Sequence, residues 1–271
     1  MKTKNQEIYP IIEINHLIKK YGDFEAVKDL SFEVKKGEIF AFLWPNGAGK
    51  STTINILTTM LNKTTGEVKI DGIPIEKQDE IRKTFGIVFQ DCALDDELTA
   101  WENMYFHATL YHLPTKTLEK EIKSLMKFVE LWEFKDRLIK QFSWGMKRRL
   151  EIAKGLLHHP KILFLDEPTV GLDPQSRNHI REHLKKINQE QGLTIFITTH
   201  YMDEVEKIAD RVAIIDQGKI QAIGTVEDLK KQTGKDTMDE VFLAITGNSL
   251  REELISEIDG KRARLQAKRR G

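Results

Sequence analysis

Five consecutive apolar residues, Ile39 to Leu43, run straight into the glycine-rich stretch "WPNGAGKSTT", and apolar residues then recur at helical spacing at Ile54, Leu57 and Leu61. A strand with no polar face must be covered on both sides, so it belongs at the centre of a sheet. The glycines behind it let the backbone turn tightly and approach a ligand closely. A chain built around this feature is committed to a strand, a loop and a helix in immediate succession.

The rest of the chain extends that unit. "IIEINHLIKKYG" and "LSFEVKKGEIFAFL" alternate apolar and polar residues between glycines, as half-buried strands do, and "GEVKIDGIPI" repeats the pattern as a short hairpin. From Leu98 to His159 the period becomes helical, with Leu118, Ile122, Leu125, Met126 and Val129 three or four apart. Short apolar strands return at Ile162 to Leu165, Ile195 to Thr198 and Val212 to Ile215, with a helix between the first two near Ser176 to Gln189. Strands alternating with helices predict a mostly parallel sheet. The predicted fold is α/β, with an antiparallel β subdomain before the parallel core and a helical lobe, about residues 91–160, inserted into it. Residues 1–225 form the main domain, and 226–271 read as a mixed polar appendix.

Composition narrows the class. The chain has 271 residues, enough to bury a large core, and its 42 basic residues balance 42 acidic ones, which argues against nucleic acid as a partner. The single cysteine, Cys92, cannot form an internal disulfide and fits a reducing cytoplasm. The longest apolar run, Ile39 to Trp44, is six residues, far short of a membrane span, and Glu7 and Glu13 interrupt the apolar stretch of the N-terminus where a signal peptide would be uncharged. Six positive charges (Lys261, Arg262, Arg264, Lys268, Arg269, Arg270) crowd the last eleven residues. That tail reads either as a solvated end or as an element drawn to anionic lipid.

The chemistry is concentrated in two motifs. "NGAGKST" between a buried strand and a helix is the core of a P-loop. Backbone N–H groups of Asn46, Gly47, Ala48, Gly49 and Thr52 cradle phosphates, Lys50 reaches the β- and γ-phosphates, and Ser51 holds Mg²⁺. "ILFLDEP" sets Asp166 and Glu167 at the end of a buried strand, where adjacent carboxylates suit Mg²⁺ ligation and activation of a water. The predicted core is therefore that of a P-loop NTPase, with ATP and Mg²⁺ as its ligands.

From Ile12 to about Ile223 the chain resembles the nucleotide-binding subunits of ABC transporters. "GIVFQD" matches the Q-loop, whose Gln90 faces the metal and the lytic water. "FSWGMKRRLEIA" stands in place of the signature sequence, with Ser143 and Gly145 at its phosphate-contacting positions. "GLDP" matches the D-loop and carries Asp173, "ITTHYMDE" matches the switch region with His200 at the γ-phosphate, and Tyr21 stands where the family stacks an aromatic on adenine. The stretches "DDELTAWENMYFHATLYHLP", "LLHHPKILFLDEPTVGLDP" and "TMDEVFLAITG" look like the daunorubicin-resistance type of exporter ATPase. The resemblance implies an ATPase at the cytoplasmic face of the membrane, with Glu167 as general base. It also implies a homodimer or heterodimer of cassettes working with a separate membrane permease, in efflux of a drug, lipid or other hydrophobic compound. The permease surface is expected after Gln90, at Leu94, Leu98, Trp101 and Tyr105, unless those four are packing of the helical lobe. A soluble, non-transport ABC ATPase would carry a second cassette or a coiled-coil insertion, and neither is present.

Two positions depart from the family pattern. Trp44 stands where the P-loop has its first glycine, and Trp144 where the signature has one. Bulk at Trp44 is expected to displace the phosphate-binding N–H groups, and bulk at Trp144 to hold two cassettes apart. The alternatives are a cassette that binds nucleotide but hardly turns it over, serving as a regulatory or structural partner, and a harmless pair of indoles pointing to solvent.

Overall fold

The structure is a computed structural model that describes residues 10–45 and 50–247. Asn46, Gly47, Ala48 and Gly49 of the phosphate loop, and the basic tail, lie outside the described residues.

Two sheets face each other. The first holds β1 (Pro10–Tyr21), β2 (Phe24–Lys35), β4 (Thr65–Ile70) and β5 (Ile73–Pro74), all antiparallel, in the order β2-β1-β4-β5. The second holds β3 (Ile39–Leu43), β6 (Phe85–Val88), β7 (Ile162–Asp166), β8 (Thr194–Thr198), β9 (Arg211–Asp216) and β10 (Lys219–Gly224), in the order β10-β9-β3-β8-β7-β6. Its strands are parallel except for β10 at one edge. The buried strand β3 is interior, between β9 and β8, as its two apolar faces demand.

The pleat of β3 divides the core. Phe40 and Phe42 enter an aromatic layer between the sheets, with Phe32 stacked on Phe40 at 5.5 Å and Phe196 5.2 Å from Phe42. Ile39, Ala41 and Leu43 face the opposite side, against Leu163, Ile195, Ile197 and the helices there. A period of two on a strand with no polar residue supplies both layers at once.

The helices are α1 (Lys50–Leu57), α2 (Gln78–Ile81), α3 (Ala100–Leu110), α4 (Thr115–Phe128), α5 (Trp144–Leu156), α6 (Pro174–Gln191), α7 (Met202–Ile208) and α8 (Val226–Thr233), with a further helical stretch over 238–247. Their ends are written locally. Thr99 and Glu102 form a capping box at the start of α3, Ser143 caps α5, Asp173 caps α6, and Thr225 caps α8. α3, α4 and α5 enclose a third core, the inserted lobe, around Met104, Ile122, Met126 and Leu150.

One expectation changes. The segment read as a polar appendix is part of the core as far as residue 247: Val226, Leu229, Met238 and Val241 are buried against the outer face of the parallel sheet. Their apolar residues are diluted among lysines and aspartates, so composition conceals the stripe that packs.

Candidate functional site

The site lies where strands β3, β7 and β8 end. α1 opens at Lys50 directly after the phosphate loop, and β7 ends on Asp166 beside the end of β8 at Thr198. Ligand sites gather at such carboxyl edges because loops there are free of the sheet ladder.

Thr198 organises the carboxylates. Its hydroxyl donates to Oδ1 of Asp166 at 2.6 Å and accepts the Glu167 backbone N–H at 3.1 Å, while its carbonyl accepts the same N–H at 3.0 Å. Glu167 is held with φ at +48°, a left-handed conformation that costs a non-glycine residue of order 1 kcal/mol and persists only where the surroundings impose it. The turn brings its carboxylate back over the helix start. There the Lys50 ammonium donates to Oε1, and Nδ1 of His200 lies 2.9 Å from Oε2. Asp166 stands 3.5 Å from the same ammonium. The side chains of Lys50, Asp166 and Glu167 are each 15 % exposed, so their charges act with little screening. Lys50, Asp166, Glu167 and His200, predicted from three separate motifs, meet in one constellation.

The donor set suits Mg²⁺ rather than a softer ion. Among the described residues no three His, Cys, Asp or Glu side chains converge on a possible cation position. What the sequence offers is the Ser51 hydroxyl at the first turn of α1, the Gln90 amide just beyond β6 and the Asp166 carboxylate. These are hard oxygen donors, too few for an all-protein cage and suited to a cation shared with phosphates.

The other expected positions are spread around this centre. Tyr21 ends β1 half-exposed, with the Lys19 ammonium 5.1 Å over its ring. Thr52 follows Ser51 on α1. Exposed Ser143 accepts the Met146 N–H at 3.2 Å as the cap of α5. Gly145 is buried against α6: a Cβ there would stand 2.9 Å from Oγ of Ser176, so glycine lets the two helix starts meet. Exposed Asp173 accepts from the Ser176 hydroxyl at 2.6 Å, and this hydrogen bond holds its carboxyl below the usual range.

The two tryptophans take different courses. Trp44 does not point to solvent: it is 7 % exposed, and its ring meets Phe42 edge-on at 4.4 Å inside the aromatic layer. Its bulk is absorbed by the core. Trp144 is 40 % exposed but anchored, its indole N–H donating to the Val170 carbonyl at 3.0 Å beside Gly171.

The surface after Gln90 also divides. Leu94 and Trp101 pack against the lobe core, with Trp101 at 6.2 Å from Trp132. Leu98 lines a cavity of about 270 Å³ with Phe106, His107, Leu110 and Lys154, and Tyr105 is exposed nearby. Phe106 and Leu110 were not singled out from the sequence; their spacing of four on a helix that is apolar on its outward face as well as its buried one was the available signal.

Fold and site together define a P-loop nucleotide-binding cassette. The family model for ABC transporters matches residues 27–170. The linearmycin resistance ATP-binding protein LnrL of Bacillus subtilis (strain 168) is 43 % identical over 238 residues, which cover 88 % of this chain and 76 % of that protein. The daunorubicin/doxorubicin resistance ATP-binding protein DrrA of Streptomyces peucetius is 37 % identical over 228 residues, 84 % of this chain and 69 % of that one. A solved dimeric ATP-binding cassette, in a post-hydrolysis state with ADP and Pi, superposes with a TM-score of 0.70 at 29 % identity, over 79 % of this chain and 98 % of the other. The chain belongs to the ABC transporter family, as one of its ATP-binding subunits. Among the described residues no helix is long and apolar enough to cross a membrane.

Proposed function

We propose that this chain is the ATP-hydrolysing motor of an exporter. The observation that carries the reading is the convergence of Lys50, Asp166, Glu167 and His200 on one small volume. In the reaction, Lys50 gives its charge to the β- and γ-phosphates instead of to Glu167. The freed Glu167 carboxylate takes a proton from the attacking water as its oxygen bonds to the γ-phosphorus and the bond to the β–γ bridging oxygen breaks. His200 holds the γ-phosphate side of the site. Ser51, Gln90 and Asp166 would hold Mg²⁺, which would supply positive charge to the phosphate oxygens.

Each ATP would sit between one chain's phosphate loop (Asn46, Gly47, Ala48, Gly49 and Thr52, with Tyr21 on the adenine) and the partner subunit's Ser143 and Gly145, with Asp173 at the seam. The assembly is then a homodimer, or a heterodimer with a sister cassette, on the cytoplasmic face of the membrane. A separate permease docks at the surface near Leu98 and Tyr105. The relatives named for resistance to linearmycin and daunorubicin support a drug, lipid or other hydrophobic compound as the cargo. The test is co-purification of a two-to-two complex with the permease in detergent, with ATPase activity measured with and without it. A chain that neither binds nor hydrolyses Mg-ATP in that complex would sink the reading.

A second reading, a cassette that binds nucleotide but turns it over slowly, is favoured by Trp144. Its half-exposed indole stands between Ser143 and Gly145, the two positions that would face the partner's nucleotide. Comparing the turnover of this chain with that of Trp144→Gly separates the two.

A further inference from the structure

The largest fully buried side chain among the described residues is a charged one, Arg148, at 1 % exposure. It lies on α5, and two of its three hydrogen bonds leave the helix. Its Nη2 donates to the carbonyl of Gln90 at 2.8 Å, and its Nη1 to the carbonyl of Phe89 and, at 3.0 Å, to the carboxylate of Glu151. Glu151, also buried, in turn accepts the backbone N–H of Ala93 at 2.7 Å. One turn further along, Lys154 donates to the Ala93 carbonyl at 2.7 Å. Residues 148, 151 and 154 share one helix face by their spacing of three. That face satisfies four backbone groups of the loop 89–93, immediately beyond β6.

The helix is brought to this distance by glycines: a Cβ on Gly86 of β6 would stand 2.1 Å from the carbonyl oxygen of Gly155 on α5. A buried ion pair is an expensive way to fasten a loop, because apolar side chains of similar volume usually serve stability as well or better. What it adds is direction, since a guanidinium fork fixes two carbonyls at once. Burial lowers the Arg148 pKa, while Glu151, Cys92, Asp166 and Asp91 oppose that shift; Asp166, the metal-side carboxylate, is thus within its electrostatic reach.

We propose that Arg148, braced by Glu151, is a positioning residue for Gln90: by fixing the Gln90 backbone it sets where the side-chain amide stands relative to Asp166 and Ser51, and so sets the site's affinity for Mg²⁺. The proposal rests on the reading of Gln90 as a metal-side residue. A strut that merely held the fold would lower stability without singling out the metal.

The experiment is a Mg²⁺ titration of the full chain with trinitrophenyl-ATP bound, alongside nucleotide affinity in EDTA and a thermal melt. Arg148→Lys, Gln90→Ala and their double variant are compared with the parent. Outer partners of metal ligands typically contribute about tenfold or more to affinity. The Mg²⁺ half-saturation should therefore rise about tenfold in Arg148→Lys, with nucleotide affinity in EDTA within about twofold of the parent. It should rise no further in the double variant than in Gln90→Ala alone, because coupled residues are not additive. Glu151→Gln gives the same readout if Arg148→Lys does not fold. An unchanged half-saturation, or a full extra factor in the Gln90→Ala background, overturns the positioning role and leaves the role of Gln90 standing. A Gln90→Ala chain with parental Mg²⁺ dependence, or a parent that binds no nucleotide, overturns both.

Discussion

Nδ1 of His200 stands 2.9 Å from Oε2 of Glu167, although 33 residues separate them, and the other oxygen of that carboxylate takes the Lys50 ammonium. A base engaged on both sides is poised but not free. In the proposed mechanism nucleotide draws Lys50 away before Glu167 accepts a proton, which ties proton transfer to phosphate binding. Replacing Glu167 with Gln should therefore keep Mg-ATP binding and slow hydrolysis by about 10²–10⁴. The variant should accumulate as an ATP-bound dimer in gel filtration. Normal binding with a monomer at saturating Mg-ATP would count against the head-to-tail dimer.

In the proposed mechanism Lys50→Ala removes the charge that meets the β- and γ-phosphates, and it leaves Asp166 and Glu167 without the cation they share. Both effects weaken ATP binding. Affinity for Mg-ATP should fall at least tenfold, or turnover should vanish, in equilibrium binding and steady-state assays. Unchanged values in both would remove Lys50 from the site.

Trp44 belongs to the core, so its replacement is first of all a stability change. Trp44→Gly leaves a large cavity beside Phe42 and should cost about 3–5 kcal/mol, while Trp44→Phe should cost less. Denaturant melts measure the difference. A glycine variant as stable as the parent would mean that the ring contributes nothing to the aromatic layer.

Trp144→Gly removes a partly exposed indole and one hydrogen bond to Val170, a loss of about 1 kcal/mol. If the indole obstructs dimer closure, turnover should rise by up to about 10²-fold, the scale of one restored donor set. Trp144→Phe keeps the bulk without the N–H and should stay slow. Equal turnover in all three chains would show that the indole leaves the closed dimer undisturbed.

His107, beside the cavity of the helical lobe, has its pKa lowered from 6.5 to about 4, mainly by burial and then by Lys154 and His158. The unfolded chain binds this proton more readily than the folded one. The stabilisation is therefore present above pH 6.5 and is lost as pH falls towards 4, by about 3 kcal/mol at most. His107→Leu should flatten that part of the acid limb in melts between pH 7 and 4. An unchanged acid limb would place the acid sensitivity elsewhere.

Much of this protein is legible in short stretches of sequence. The unbroken apolar run of β3 requires an interior strand, alternation marks β1 and β2, and Thr99 with Glu102 announces a helix start. The order of motifs names the candidate site residues. These are local signals, because pleat, helical period and capping act over a few residues. Contacts across the chain decided the rest. Trp44 lies one residue past the end of β3, where the pleat no longer dictates a face, so the layer of Phe42 and its neighbours settles that its ring turns inward. Val226, Leu229, Met238 and Val241 are too sparse among charges to look like core until the outer face of the sheet is there to cover them. Arg148 reads as one more basic residue on a helix surface. Only the approach of Gly86 to Gly155 draws it under the Gln90 loop, where burial turns a solvated charge into a fixed pair of hydrogen bonds. Sequence sets what each segment can form, and packing, which acts between residues far apart in the chain, sets which face of it meets which neighbour.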